Sequence, residues 1–136
     1  MPHDVHVLIV EDVEEIRRAM VRTLRQMIET RGFSVVISEA DLADAAFEKI
    51  LSNPGDRWFV ITDNNLEPSR GPIQTGLDLI RHVHENVPRI RSFLVLMSGG
   101  DMDSVNFDLF GVDRFMQKPC KIAELVELLA TFLASE

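Results

Sequence analysis

Apolar residues follow two rhythms along this chain. Short runs dense in Val, Ile and Phe, namely "HVLIV" (6–10), "SVVIS" (34–38), "WFVIT" (58–62), "SFLVLM" (92–97) and "DRFMQ" (113–117), have the length and composition of strands. Most of them lack in–out alternation, the pattern of parallel strands covered on both faces. Between them apolar residues recur every three or four positions. Ile16, Met20, Leu24 and Met27 form one stripe, Leu77, Ile80, Val83 and Val87 a second, and Ile122, Leu125, Leu129 and Phe132 a third. That spacing predicts amphipathic helices. Residues 42–51 and 102–110 carry weaker helical patterns, the latter with Asp101 as its expected cap. Gly32 suits the end of the first helix. In "TGLD" (75–78), Thr75 can accept from a free helix N–H and Asp78 suits the first turn, while Pro88 stops the same helix.

Strands alternating with helices in five β-α units imply one α/β domain, a parallel sheet joined by right-handed crossovers. The chain has 136 residues, 46% of them hydrophobic, so it can bury a full core. No internal repeat, low-complexity tract or dividing linker interrupts it, and residues 1–136 read as a single domain with a core at about 5–134. The one long connection is "NNLEPSRGPIQT" (64–75); loops of that length tend to be functional or mobile.

Charge and cysteine usage narrow the classes. A net charge of −8 argues against direct nucleic-acid binding and against anionic membrane surfaces. No apolar run approaches the length of a membrane span, so no membrane insertion is expected. The N-terminus lacks the pattern of a secretion signal. Cys120 is the single cysteine, which excludes an internal disulfide and fits a reducing, cytoplasmic setting. The four histidines form no metal pattern: His82 and His84, two apart on a helix, face different ways.

The polar residues that matter follow the strands. In a parallel α/β sheet every strand aims its C-terminal end at one edge, where sites are built. The first run leads into Glu11-Asp12, the third ends at Asp63, the fourth presents Ser98 and the fifth presents Lys118. The second ends near Glu39, which reads as a surface acid. Each feature has a plain alternative. "ED" can be helix-capping acids, with Asp12 and Glu15 in the first turn, "SGG" a turn, and Lys118 a solvated charge. Together they place three carboxylates, a hydroxyl and an ammonium on one rim. Three converging carboxylates repel unless something neutralises them. A hard cation such as Mg²⁺, which takes oxygen ligands and keeps several waters, suits an open acidic site. It would also prepare a carboxylate to meet a phosphoryl group, with Lys118 and Ser98 available for the remaining oxygens.

At this point the chain resembles the receiver domains of two-component response regulators, over essentially all of residues 5–134. The likeness is carried by "VLIVED", "VITDNNL", "GLDLI", "LMSGG" and "FMQKP". It implies a flavodoxin-like, doubly wound (βα)5 domain with a five-stranded parallel sheet in the order 2-1-3-4-5. It implies Asp63 as phospho-acceptor and Mg²⁺ held by Glu11, Asp12, Asp63 and the backbone carbonyl of Asn65. Ser98 matches the switch hydroxyl, Lys118 the lysine that pairs with the phosphoryl group, and Phe115 the aromatic switch; the bond to Pro119 is often cis in this family. The implied phosphodonor is a sensor histidine kinase or a histidine phosphotransfer protein. Phosphorylation would alter binding to a downstream protein target, without the domain being a turnover enzyme. No output domain is expected in this chain, which reads as a stand-alone regulator, a phosphorelay intermediate or a piece of a longer protein.

Several features depart from the family pattern. The stretch from Asp63 to Gly76 is longer than usual by about five residues, an insertion at 67–75 that is expected to be mobile. The usual proline after the acceptor is displaced to Pro68, and the stretch from Ser98 to Lys118 is slightly short, which predicts a short or irregular fourth helix. Cys120 reads as a small buried hydrophobe. Arg18, Arg22 and Arg25 line one face of the first helix, either as a solvated face or as a docking face. Competing functions are an aspartate-nucleophile phosphatase, a nucleotide- or flavin-binding module, and a degenerate receiver that takes no phosphate. The first keeps its nucleophile in D-x-D after the first strand. The second needs a glycine- or hydroxyl-rich first turn, where this chain has "VEDVEE". The third is disfavoured because all the key positions are filled.

Overall fold

The structure is a computed structural model, described here for residues 5–67, 71–100, 102 and 105–135. Five strands, β1 (Val5–Val10), β2 (Val36–Ala40), β3 (Arg57–Asp63), β4 (Ser92–Ser98) and β5 (Arg114–Gln117), form one parallel sheet in the order β2-β1-β3-β4-β5. Helices α1 (Glu14–Thr30), α2 (Ala43–Ser52), α3 (Gly76–Asn86), α4 (Phe107–Phe110) and α5 (Ile122–Ala134) connect and cover it, and a 3-10 turn spans Arg89–Arg91.

The missing alternation in the strands has a direct cause. Leu8 and Val10, with Trp58, Val60, Leu94 and Leu96, face a core shared with α2, α3 and α4. Their neighbours Val7 and Ile9, with Phe59, Ile61, Val95 and Met97, face a second core under α1 and α5. Both faces are dry, so both parities must be apolar. Trp58 packs as expected at the end of β3 opposite Asp63, its indole N–H donating to the Asn53 carbonyl at 2.9 Å and its ring stacked on His6.

Several boundaries differ from those the pattern predicts. The second strand runs from 36 to 40 rather than 34 to 38. The chain leaves α1 through a left-handed Gly32 (φ 85°), with Gly32 and Phe33 donating back to Glu29 and Ile28. Pairing with β1 then begins at Val36 opposite His6 and continues past the apolar run to Ala40, whose carbonyl accepts from Glu11 N–H. On α1 the buried line is Val21, Leu24 and Ile28, with Met20 and Met27 at its flanks. Ile16 is 46% exposed and lines an open groove with Met20, Pro119, Cys120 and Ile122. The fourth helix is a single turn over 107–110 instead of 102–110; Asp101 lies outside the described residues, and Gly111 ends the turn in a left-handed conformation. Within the 67–75 segment Ile73 is 5% exposed and packs into the core between sheet and α3, so this part of the insertion is anchored.

Helix α3 starts where the sequence places it. Thr75 Oγ1 accepts from Asp78 N–H at 3.0 Å and the Asp78 carboxylate accepts from Thr75 N–H at 3.2 Å, a complete capping box. Gly76 follows because nothing larger fits: a Cβ there would lie 2.2 Å from the Asp63 carbonyl oxygen and 2.9 Å from Thr62 Oγ1. The helix therefore abuts the backbone of the strand end that carries Asp63. Helix propensity alone predicts that Gly76→Ala stabilises the domain. The contact predicts a loss of about 1–3 kcal/mol, the usual cost of overpacking. Thermal and urea unfolding read the sign directly, and an unchanged or raised melting temperature would rule out this abutment.

Candidate functional site

Four strand ends bring the expected groups together. Glu11 follows β1, Asp63 and Ser98 close β3 and β4, and Lys118 follows β5. Glu11, Asp63 and Ser98 are 1%, 4% and 1% exposed, whereas Asp12 is half-buried. Glu11, Asp12 and Asp63 each offer a carboxylate oxygen within 4.8 Å of the others. Asp12 does not cap α1: Val13 occupies the N-cap position, and no side chain bonds there.

Lys118 reaches into this cluster. Its Nζ donates to Asp63 Oδ2 at 2.6 Å and to Glu11 Oε2 at 3.3 Å. Burial pushes the Glu11 carboxyl up, the Val13 N–H draws it back, and the facing Asp63 charge raises it further, leaving it above its ordinary value. Burial pulls the Lys118 ammonium down, but the Asp63 hydrogen bond and charge, with Glu11, more than offset this and leave it raised. Burial is thus the main reason that Glu11 is harder to ionise, and the acids around Lys118 are the reason that it stays charged.

Whether Mg²⁺ suits these residues can be judged from the donors. All are hard oxygens. Around an octahedral ion with bonds of about 2.1 Å, ligand oxygens stand roughly 3–4 Å apart. The observed spread of the three carboxylates accommodates that arrangement, and Lys118 already occupies the role of a neutralising cation.

The remaining expected residues border the same rim. Asn65 is exposed, and its N–H donates to Asp63 Oδ1 at 3.2 Å, folding the loop over the carboxylate. Ser98 Oγ accepts from Gly100 N–H at 3.1 Å, and the Ser98 carbonyl accepts from Lys118 N–H at 3.0 Å, so the hydroxyl and the lysine are held by one strand pair. The Lys118–Pro119 peptide is cis. Phe115 lies away from the acids, half-buried and stacked on Phe107 at 4.9 Å. Cys120 is half-buried among the α1 and α5 core residues, and burial raises its thiol, in keeping with a packing role. Arg18, Arg22 and Arg25 line an open groove with Val21, Glu29 and Glu39 between α1 and β2.

Two residues that shape the site received no role from the sequence. Gly76 supports the Asp63 backbone; in the sequence it stood out only by its place in "TGLD" and "GLDLI". Asn64, next to Asp63, accepts Gly76 N–H with its carbonyl and Leu77 N–H with its side chain, at 3.2 and 3.1 Å.

No protein-family model matches the chain, and no curated protein matches it. Solved structures do. A response regulator receiver domain protein from Clostridium thermocellum is 18% identical, with 95% of this chain and 94% of that one covered and a TM-score of 0.75. A CheY-like response regulator receiver domain from Methylobacillus flagellatus is 23% identical, with 95% and 98% covered and a TM-score of 0.66. The receiver domain of the hybrid histidine kinase CckA is 23% identical, with 94% and 98% covered and a TM-score of 0.68. The chain thus has the fold of response-regulator receiver domains: a flavodoxin-like α/β domain with strand order 2-1-3-4-5. Among the described residues, no helix is long and apolar enough to cross a membrane.

The raised Glu11 value carries a sign. An acid whose folded value lies above its unfolded value contributes stability below the unfolded value, and that contribution is lost as pH rises through the folded value. Glu11→Gln holds the neutral form at every pH. Without metal, its melting temperature should match wild type below pH 4.5, the ordinary carboxylate value, and exceed it increasingly towards neutrality. In millimolar Mg²⁺ the order should reverse, because linkage adds about 2.7 kcal/mol when metal is ~100-fold above its dissociation constant. Thermal melts from acid to neutral pH, with and without Mg²⁺, check both halves. Parallel curves for the two proteins would show that Glu11 neither carries this charge cost nor holds metal.

Proposed function

We propose that the chain is a receiver domain that takes a phosphoryl group onto Asp63 from a phosphohistidine donor, with Mg²⁺, and so changes what it binds. One observation carries this reading. The Asp63 carboxylate lies at a strand end between two further acids and a lysine, with Ser98 on the neighbouring strand, an arrangement that serves a polyanionic reactant and a cation together.

In the proposed reaction a carboxylate oxygen of Asp63 attacks phosphorus. The phosphorus–nitrogen bond of the donor breaks, its electron pair returns to the imidazole with a proton from solvent, and an acyl phosphate remains on Asp63. Mg²⁺ would offset the repulsion between carboxylate and phosphoryl oxygens. Glu11 and Asp12 hold the negative charge that draws the cation in. Lys118 is freed from the Glu11–Asp63 pair to neutralise a phosphoryl oxygen, and Ser98 donates its hydroxyl to another. Asn65 would supply its backbone carbonyl to the metal. Phe115 responds to the Ser98 movement and alters the surface beside α4. The donor is a sensor histidine kinase or histidine phosphotransfer protein, the target is a protein, and the domain works in the cytoplasm without turnover of a small substrate.

The aspartate-nucleophile phosphatase reading has no matching feature, since the acid next to the nucleophile position is replaced by Asn64-Asn65. With Mg²⁺ and acetyl phosphate the protein should gain one acid-stable, hydroxylamine-labile phosphate, read by intact mass. Asp63→Asn should abolish it. Lys118→Ala should fold but take phosphate poorly, and Ser98→Ala should take phosphate without moving Phe115. A folded wild type that stays unmodified with Mg²⁺ and several donors would return Asp63 to the role of a structural strand-end acid.

A further inference from the structure

The connection from Asp63 to α3 contains the long 67–75 segment, yet Asp63 is fixed tightly enough to be 4% exposed. Asn64 accounts for this. Its N–H donates to the Met97 carbonyl at 2.8 Å, which extends the β3–β4 ladder one residue past the acid. Its carbonyl accepts Gly76 N–H at 3.2 Å and its side-chain Oδ1 accepts Leu77 N–H at 3.1 Å. Its Nδ2 points at Met102 Sδ, 3.9 Å away on the segment after β4.

A helix N-terminus leaves four N–H groups without intrahelical partners. At α3 all four are satisfied: Thr75 and Asp78 N–H within the capping box, Gly76 and Leu77 N–H by Asn64. Half of the cap is local and half comes from the residue bonded to Asp63. The two ends of the long connection are thereby clipped together at its base. Whatever residues 65–75 do, Asn64 and Gly76 stay in register, and Gly76 stays against the Asp63 carbonyl.

We propose that Asn64 is a positioning residue for the acceptor: it clamps α3 and the segment after β4 to the strand end and isolates Asp63 from the inserted loop. The proposal rests on the phosphotransfer reading for its functional consequence, though not for the clamp itself. The clamp predicts that side-chain loss at Asn64 loosens both the Asp63 carboxylate and the Asn65 backbone beside it. Misplacement of a reacting group by about an ångström costs on the order of 100-fold in rate.

The test compares Asn64→Ala, which removes the cap bond to Leu77 N–H, with Thr75→Ala, which removes one other cap bond, to Asp78 N–H, without touching the strand end. Both should lower the melting temperature. With saturating Mg²⁺ and acetyl phosphate, Asn64→Ala should slow phosphorylation at least ~10-fold, while Thr75→Ala stays within about twofold of wild type. Equal slowing of the two variants, or none in either while wild type is modified, would overturn the proposal. A wild type that takes no phosphate sinks the phosphotransfer reading instead. The clamp is then judged on the Leu77 amide exchange rate and the Asp63 carboxyl ¹³C resonance. Faster exchange and a displaced resonance in Asn64→Ala, but an unmoved Asp63 resonance in Thr75→Ala, support it; an unmoved Asp63 resonance in both overturns it. Asn64→Asp, which keeps the acceptor oxygen, should retain wild-type protection at Leu77 and serves if the alanine variant does not fold.

Discussion

Glu11 and Asp63 face each other at the ends of adjacent strands with almost no access to water, and Lys118 touches both. Like charges brought this close cost free energy unless a counter-charge neutralises them. The fold tolerates the arrangement because the ammonium lies between the carboxylates. Its position is set by β5, whose backbone holds Lys118 against Ser98. A rim that needs positive charge is chemically poised. In the proposed function a divalent cation would relieve the acids and leave Lys118 available to a phosphoryl oxygen.

The sheet makes this possible through order rather than through any single element. Strands β1, β3, β4 and β5 are neighbours in the sheet, so residues from four separate chain segments meet within hydrogen-bonding reach. Parallel pairing forces their ends to the same edge. The supports lie just behind. Gly76 lets α3 approach the Asp63 carbonyl, and Asn64 closes the joint between strand, helix and the segment after β4. At the far end of the insertion, Ile73 packs into the core beside α3.

Much of this was legible in the sequence, for physical reasons. Strands buried on both faces announce themselves as unbroken apolar runs, and an acid at the end of such a run stands out. The capping box at Thr75 and Asp78 is a local interaction and was readable as such. Long-range pairing was not. The second strand's limits depend on its pairing with β1, and the exposure of Ile16 on which neighbours reach the first turn of α1, whereas the shortness of α4 was readable from the Ser98–Lys118 spacing although its bounds were not. Asn64 was hidden for a related reason. An asparagine after a strand is an ordinary loop residue until the helix it caps, twelve positions on, is placed beside it.

Reductive trapping tests the central assignment most directly. Borohydride converts an acyl-phosphorylated aspartate into homoserine, so peptide mass spectrometry after treatment with Mg²⁺, acetyl phosphate and borohydride names the acceptor. The account predicts homoserine at position 63 alone, dependent on Mg²⁺. Homoserine at Asp12 or another aspartate in place of 63, the corresponding five-carbon alcohol at a glutamate such as Glu39, or no reduced residue in a folded, phosphorylated protein, would contradict it.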